Sequence, residues 1–265
     1  MCLWGVLVRI VSLVPSITET LFDLGVGDQV VGVTRYCTEP EPSLRSVPRV
    51  GGTKNPDLEK IATLRPDLVL VNGEENRDEH IGWLKERFQV HESLPITVLD
   101  AAHVVREIAI RVGANDAAEA ILLEIEAQLA RAEVEAISRS RVRVFYAIWK
   151  NPWMSINSTT YIHDVLLRTG AVNVTAGHDG RYPVLSPQEL KALQAELVLL
   201  PSEPFVFQEA HRREIVEQQL FGPEVPVALV DGKDFSWHGS RTGRGIGRVL
   251  DVLKPYRSVT GSGRR

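Results

Sequence analysis

Residues 116–138 read DAAEAILLEIEAQLARAEVEAIS, and they lie within a longer stretch, residues 114–151, that has neither glycine nor proline. Apolar residues recur in it at alternating intervals of four and three, namely Ala118, Leu122, Ile125, Leu129, Ala132 and Ala136. This spacing places them on one seam of a single helix. Asn115 or Asp116 can cap its first turn. The predicted helix is about 35 Å long at ~1.5 Å per residue, which is roughly the diameter of a small domain.

The sequence on either side of this helix repeats one pattern, in which short apolar strands alternate with helices. The predicted strands are residues 10–14, 29–34, 67–71 and 96–99 before it, and 142–149, 172–174, 197–200 and 227–230 after it. A short helix capped at Asn55-Pro56 precedes the strand at Asp67, and one capped at Ser186-Pro187 precedes the strand at Leu197. Alternation of this kind predicts parallel α/β layers.

The chain is therefore predicted to form two Rossmann-like α/β lobes, each with a mainly parallel sheet, joined by a single long helix. We place the lobes at residues 1–114 and 141–258, the connecting helix at 115–140 and a flexible tail at 259–265. The basic cluster from Arg257 to Arg265 is expected to be a frayed terminus.

Two local predictions accompany this division. Ser16 and Glu19 have the spacing of a capping box at the start of the first helix. Trp149, inside a predicted strand, is expected to lie in the core.

Composition limits the classes of function. The 265 residues are 44% apolar with a net charge of -4, which gives no long-range attraction to nucleic acid. No apolar run approaches the ~20 residues of a membrane span.

Residues 1–8 are apolar but have no basic start and no small-residue cleavage site. As written we therefore expect no signal peptide and a cytoplasmic protein. We also expect a monomer.

Aromatic residues are concentrated in the loops that follow predicted strands. Because ligands of open α/β sheets bind at the carboxyl ends of the strands, we expect these residues to line a cleft between the lobes. They are Tyr36, Trp153, Tyr182 and Trp237. Together they would form an apolar wall for a large planar ligand. A loop tryptophan can equally cover the core of its own lobe, and this alternative stays open. His238, next to Trp237, is a candidate for ligand contact or axial metal coordination.

The sequence contains little that would support catalysis. Gly243, Gly245 and Gly247 have a spacing similar to a phosphate-binding loop, but Arg248 occupies the place of the next glycine, so we interpret them as a helix start. The seven histidines show no i, i+4 pair, and no nucleophile has an activating neighbour. We expect no enzyme activity and no intrinsic cofactor or metal. Whether Cys37 or His238 coordinates a metal stays open.

Several ordered motifs resemble one family over residues 9–253. They are RIVSLVPSITETL from Arg9, VGVT from Val31, VGGT from Val50, NPDLEKI from Asn55, LRPDLVL from Leu64 and SPQEL from Ser186. The set resembles the helical-backbone (class III) substrate-binding proteins of ABC importers, which bind cobalamin, iron-siderophores or haem. Among these the chain looks most similar to the cobalamin receptors.

The resemblance implies two lobes with limited closure and ligand contacts in the loops that carry Tyr36, Trp153, Tyr182 and Trp237. It also implies docking to a permease through one glutamate on each lobe, matched here by Glu59 and, displaced by one residue, by Glu189. Where cobalamin receptors have a tryptophan, this sequence has Gly52 and Thr53. By resemblance the protein would be periplasmic or extracytoplasmic.

The leading hypothesis is a solute-binding protein that captures a metal-tetrapyrrole or metal chelate for an ABC importer. A cobalamin-like ligand comes first, and an iron-siderophore or haem comes next. One alternative is a cytoplasmic carrier or sensor of the same fold. The other is an α/β enzyme with its active site between the lobes.

Overall fold

The chain is divided into two compact units in a computed structural model that describes residues 8–259. The first unit comprises the described residues up to Pro95, together with Leu99–Leu123 and His238–Arg241. The second comprises Ile96–Val98, Glu124–Trp237 and the described residues from Thr242 onward. The predictions about a signal sequence and about a tail from residue 260 fall outside the described residues.

The first unit is built on a four-stranded parallel sheet. Its strands are β1 (Ile10–Ser12), β2 (Val30–Val33), β3 (Leu68–Asn72) and β4 (Gln89–Ser93). Their order is β2-β1-β3-β4. The helices are α1 (Pro15–Asp23), α2 (Glu41–Leu44), α3 (Leu58–Leu64), α4 (Asp78–Lys85) and α5 (Val98–Val112). Val11, Val69 and Val71 of the sheet pack with Ile61 of α3 and Ile81 of α4 in one apolar cluster.

The helix predicted from the central stretch is present as α6 (Asn115–Ser138), without a break. Of the predicted seam, Ala118, Leu122, Ile125 and Ala132 are buried, Leu129 is half-buried and Ala136 is exposed. The helix contributes residues to both units, since the division between them falls after Leu123.

The second unit repeats the strand order of the first. Its strands are β5 (Val142–Tyr146), β6 (Trp153–Met154), β7 (Ala171–Asn173), β8 (Val184–Leu185), β9 (Leu197–Pro201) and β10 (Val227–Val230). The parallel sheet has the order β10-β9-β5-β7, while β6 and β8 form a separate antiparallel pair. The helices are α7 (Tyr161–Arg168), α8 (Pro187–Ala192), α9 (Glu209–Glu217), α10 (Lys233–Ser236) and α11 (Arg241–Leu253). In both sheets the first strand along the chain therefore lies between the second and the third.

The glycine-rich segment at Gly243 is part of helix α11 and serves close packing. A Cβ on Gly243 would lie 2.9 Å from Cγ of Glu124 and 3.1 Å from the backbone of Glu124 and Ile125. A Cβ on Gly247 would lie 2.9 Å from Oε1 of Gln128. The glycines let α11 approach α6 closely, which agrees with their interpretation as part of a helix.

The predicted fourth strand was wrong. Residues 96–99 include the start of α5, and Ile96 and Leu99 are both exposed. The fourth strand is instead β4, which pairs in parallel with β3 from Gln89 to Ser93. It is an edge strand with the polar sequence QVHES, in which only His91 and Ser93 are buried. A run without consecutive apolar residues gave no strand signal.

The predicted capping box at Ser16 was also wrong. Helix α1 begins at Pro15 with Val14 as the N-cap residue, and no side chain caps it. Glu19 instead receives two hydrogen bonds from Arg241, from Nε to Oε2 at 2.8 Å and from Nη2 to Oε1 at 2.6 Å. Both side chains are buried. The carboxylate is thus used to neutralise a buried guanidinium rather than to cap a helix.

The segment that carries Arg241 packs tightly against α1. Gly239 has φ +97°, and a Cβ there would lie 2.2 Å from Oγ1 of Thr20. The backbone N–H of Ser240 donates to the same hydroxyl at 3.0 Å. Glycine is therefore required at position 239 both for backbone conformation and for space.

Arg257 does not belong to a frayed terminus. Its side chain is buried and donates to the carbonyls of Ser140 at 2.8 Å, Thr169 at 3.0 Å and Glu135 at 3.1 Å. A guanidinium with several fixed donors can satisfy three such carbonyls at once. Arg257 fixes the end of α11 and the segment after it to the second unit.

Candidate ligand-binding site

The strand order shows where each unit can bind a ligand. In both sheets the first strand lies between the second and the third, so the connections that leave the first and third strands diverge. Ligands of open α/β sheets bind outside the carboxyl ends of the strands at such a point. The relevant loops follow β1 and β3 in the first unit and β5 and β9 in the second.

In the second unit, aromatic rings from these two loops meet. Trp149 follows β5 and is 43% exposed, and Phe205 follows β9. Their ring centroids are 5.3 Å apart at an interplanar angle of 74°. Phe207 lies 4.7 Å from Phe205. Trp153 then stacks on Phe207 at 6.1 Å and 5°. We call these four residues the aromatic ladder.

The prediction that Trp149 lies in the core was wrong. Strand β5 ends at Tyr146, so Trp149 lies beyond it and is partly exposed to solvent. This end of β5 could not be predicted from the sequence, because the apolar run continues through Ile148. Trp149, Phe205 and Phe207 are the three residues of the aromatic ladder that the sequence analysis did not identify as site residues.

Trp153, by contrast, lies at the buried end of the aromatic ladder. It is 8% exposed and belongs to the apolar core of the unit, together with Leu185, Phe207 and Ile215. Only a small part of the indole can be reached from solvent, so Trp153 supports the ladder from inside. Its contact with a ligand stays a prediction.

His211 lies beside the aromatic ladder and takes part in capping the N-terminus of α9. Its ring centroid is 5.3 Å from that of Phe205 and 5.7 Å from that of Phe207. Nδ1 accepts a hydrogen bond from the backbone N–H of Gln208 at 3.0 Å. A neutral imidazole that accepts at Nδ1 carries its proton on Nε2, so Nε2 is a donor and has no lone pair for a metal. His211 therefore caps a helix.

Tyr182, the third predicted aromatic contact, lies just before β8 and is partly exposed. The guanidinium carbon of Arg181 is 5.9 Å from the centre of its ring. Arg181 in turn donates to the carbonyl of Thr159. The ring and the cation together give this loop an amphipathic surface. A ligand contact by Tyr182 stays a prediction.

Trp237 and His238 are both buried. Trp237 belongs to the second unit, where its Nε1 donates to Oε1 of Glu203 at 2.6 Å and Lys233 Nζ lies 4.9 Å from its ring. Burial raises the pKa of the Glu203 carboxyl above its ordinary value. His238 belongs to the first unit, and burial lowers its pKa from 6.5 to about 4, so the imidazole is neutral at pH 7. Ligand contact by either residue stays a prediction.

In the first unit, Tyr36 is the most exposed of the predicted contacts, at 51%. It follows β2, and Arg35 Nη2 donates to its hydroxyl at 3.2 Å. Cys37 next to it is buried, within 3.1 Å of Thr18 Oγ1 and 3.2 Å of Thr34 Oγ1. Burial raises the pKa of the Cys37 thiol, which keeps it protonated and makes it a poor metal ligand.

The remaining loops of the first unit are polar. After β3, the backbone carbonyl of Glu74 accepts a hydrogen bond from Lys54 Nζ at 2.5 Å. Thr53, near the place where cobalamin receptors have a tryptophan, contributes its carbonyl to the Asn76 side chain at 2.9 Å. The first unit thus offers one exposed tyrosine among charged groups, where the second offers a series of rings.

The two predicted docking glutamates are in different environments. Glu59 is exposed in the first turn of α3, which is capped by Asp57 through the Lys60 N–H at 3.0 Å. The predicted cap at Asn55-Pro56 was therefore two residues early. Glu189 is exposed in the first turn of α8, but Oε2 accepts from Ser186 N and Ser186 Oγ, both at 2.7 Å.

These contacts make Glu189 part of a capping box, with Ser186 as the predicted cap. The hydrogen bond from the Ser186 backbone, with that from its hydroxyl, lowers the pKa of Glu189. Counted from its cap, Glu59 is the second residue of its helix, and the second residue of α8 is Gln188. Docking by Glu59 and Glu189 stays a prediction.

Two further properties concern the described residues. Within residues 8–259 no three or more histidine, cysteine, aspartate or glutamate side chains are grouped so that they could hold a metal ion. None of the helices in that part of the chain combines the length and the apolar character needed to cross a membrane.

Two α/β units with the same strand order, the second with aromatic rings where its central strands diverge, are typical of a class of binding proteins built from two such units. Residues 10–218 match the periplasmic binding protein family, and the chain belongs to this family. The fold class predicted from the sequence is thereby confirmed, and the members of this family are binding proteins rather than enzymes.

Individual relatives are distant in sequence. A vitamin B12-binding protein of Pectobacterium carotovorum subsp. carotovorum is 24% identical over 243 residues, which cover 88% of this chain and 83% of that protein. The structure of the periplasmic vitamin B12 binding protein BtuF of Vibrio cholerae superposes with a TM-score of 0.81 at 21% identity, covering 93% of this chain and 96% of that one. The periplasmic heme-binding protein RhuT of Roseiflexus sp. RS-1 gives 0.79 at 21%, with coverages of 93% and 98%.

Proposed function

We propose that this protein binds a metal-tetrapyrrole or another metal chelate and delivers it to an ABC importer. A cobalamin-like ligand is the first choice, and an iron-siderophore or haem is the second. The observation that carries the proposal is the meeting of Trp149 and Phe205 in the two loops where the central strands of the second unit diverge. The cleft between lobes that the sequence predicts stays a prediction.

The geometry of the aromatic ladder suits a flat or gently curved apolar ligand. Trp149 is fixed edge to face against Phe205, and Phe205 is supported by Phe207 and Trp153. Rings held in this way lose little conformational entropy when a ligand covers them. Trp149 and Val206, which lies between Phe205 and Phe207 in the sequence, are both exposed and provide apolar surface that a macrocycle would remove from water.

Two of the histidines are poorly placed to supply an axial ligand to a metal. His211 presents a proton at Nε2, and His238 is buried. Haem iron generally takes an axial ligand from the protein, and tyrosine can serve as well as histidine, so the exposed Tyr36 keeps haem among the proposed ligands. The vitamin B12-binding relatives support a cobalamin-like ligand as the first choice.

We further propose that Glu59 docks to the permease and that Glu189, on α8, contributes less to this docking. Glu59 is exposed at the start of α3 with no ion pair recorded among the described residues. Glu189 already accepts two hydrogen bonds from Ser186. By its family the protein would act in the periplasm, where such a permease receives its ligand.

A titration tests the ligand. Purified protein is titrated with cyanocobalamin, haemin and a ferric hydroxamate siderophore, and binding is measured by calorimetry and tryptophan fluorescence. We expect saturable one-to-one binding, tightest for cyanocobalamin, that Trp149→Ala weakens. Val216→Gln, a substitution of an exposed residue on α9, is the matched control and should bind normally. Failure of all three ligands to bind would reject the proposal.

A further inference from the structure

Helix α6 has a second apolar face, opposite the one buried in the fold. The outward residues recur at intervals of three and four, and all are exposed: Ala120, Leu123, Ala127, Ala130, Val134 and Ile137. Leu123, Val134 and Ile137 are 62%, 67% and 83% exposed. We call these six residues the outer stripe. Exposed apolar residues are common singly, but a continuous row of them marks an interaction surface.

The spacing of the outer stripe is that of a coiled-coil seam. Alternation of three and four gives the a and d positions of a heptad repeat, which pack into the side chains of a facing helix. From Ala120 to Ile137 the stripe is about 25 Å long at ~1.5 Å per residue. It therefore matches one partner helix of about five turns.

One edge of the outer stripe is acidic. Glu119, Glu126 and Glu133 are exposed and follow one another at intervals of seven, which places them at the same heptad position beside the seam. No ion pair recorded in residues 8–259 involves any of the three. On the other edge the cation Arg131 is already paired with Asp251 at 2.6 Å and with Glu135 at 3.2 Å.

We propose that the outer stripe binds one amphipathic helix of a partner protein whose apolar seam is bordered by a row of lysine or arginine. A second copy of this chain fits less well. Antiparallel pairing would place the glutamate row against its own copy, and parallel pairing would oppose Glu119 and Glu124. Flanking charges of this kind set the choice of partner in helical pairs.

Defined peptides test the proposal with the intact protein. One three-heptad peptide has leucine at a and d and lysine at e and g, and a matched peptide has glutamate at e and g. Binding is measured by fluorescence anisotropy at about 50 mM salt, where surface charges are weakly screened. The protein variants are Val134→Gln with Ile137→Gln, Glu126→Lys with Glu133→Lys, and Val216→Gln as the control on α9. Circular dichroism checks that each variant is folded.

We expect the lysine peptide to bind the unmodified protein and the control equally, and to bind the Val134→Gln, Ile137→Gln variant at least about fivefold more weakly, because apolar contacts are lost. The charge-reversed variant should prefer the glutamate peptide. Equal binding to all variants, no binding of either peptide, or an unchanged peptide preference after charge reversal would overturn the proposal. A dimer in sedimentation velocity that is lost in the Val134→Gln, Ile137→Gln variant would show that the occupant is a second copy.

Discussion

The two units have the same strand order but different side chains at the carboxyl ends of their strands. In the second unit Trp149 and Phe205 begin a ladder of rings that extends into the core. In the first unit the corresponding surface has Tyr36 beside Arg35, with Lys54 bound to the Glu74 backbone. The sheet topology thus determines where a ligand can bind, while the loops determine which chemistry it meets.

The largest effect on stability should come from replacing a buried aromatic residue of the second unit. Replacing an exposed aromatic residue of the first unit should have little effect. Trp153→Ala should lower the free energy of unfolding by ~3–5 kcal/mol, because it leaves a cavity against Phe207. Tyr36→Ala removes an exposed ring and should cost under ~0.5 kcal/mol. Urea denaturation measures both. A small change in Trp153→Ala would mean that the ladder has no buried end.

A buried histidine and a buried glutamate should respond oppositely to acid. His238 of the first unit has its pKa lowered to about 4, so the unfolded chain binds a proton first and stability is lost as pH falls below 6.5. With this pKa shift, the free energy of unfolding falls by about 2 kcal/mol between pH 7 and pH 5. Glu203 of the second unit has a raised pKa, so its contribution to stability is lost as pH rises above the ordinary carboxyl range.

Urea denaturation of the unmodified protein, His238→Asn and Glu203→Gln across this pH range separates the two groups. His238→Asn should reduce the acid-dependent loss, and the rest comes from His91 and His163, whose pKa values burial also lowers. Glu203→Gln should leave the loss in place. Identical pH profiles for the unmodified protein and His238→Asn would contradict the assignment to His238.

The next effect concerns ligand affinity. Trp149→Ala should weaken the binding of cyanocobalamin by ~1–3 kcal/mol, since it removes an exposed ring at the divergence of β5 and β9. Tyr36→Ala should weaken it by ~0.5–1.5 kcal/mol, because a single ring without aromatic support contributes less. Isothermal titration measures both dissociation constants. A greater loss in Tyr36→Ala would reverse the proposed order of the two units.

The smallest expected changes in stability come from substitutions at the starts of α3 and α8. Ser186→Ala and Asp57→Ala each remove an N-cap and should cost about 1 kcal/mol. Glu59→Ala should cost under ~0.5 kcal/mol, because the side chain is exposed and makes no capping bond. Thermal unfolding of the three variants gives the comparison. A destabilised Glu59→Ala variant would show that Glu59 has a structural role.

Local patterns predicted most of the architecture. The long helix and β10 were predicted because the apolar spacing that indicates each lies within the segment itself. Strand β4 was missed because an edge strand needs few apolar residues. The end of β5 was missed because pairing with β7 and β9, rather than composition, determines it.

The site was less predictable than the fold. Trp149 and Trp153 are four residues apart, and the sequence placed Trp149 in the core and Trp153 in an exposed loop. The structure reverses this, because contacts with Phe205 and Phe207, about fifty residues further on, determine which of the two is covered. The partner of Glu19 lies at position 241, so no local pattern could reveal it. Contacts between positions far apart in the chain could not be predicted from the sequence.

The ion pair between Glu19 and Arg241 also bears on how the protein is made. A ribosome adds the guanidinium that neutralises this carboxylate 222 residues after the carboxylate itself. Until then the first unit would have to bury an uncompensated charge, at a cost of ~3–5 kcal/mol, or leave this region of α1 open. The region of α1 around Glu19 therefore completes its fold only after Arg241 has been added, and fragments that stop before Arg241 should be substrates for chaperones and proteases.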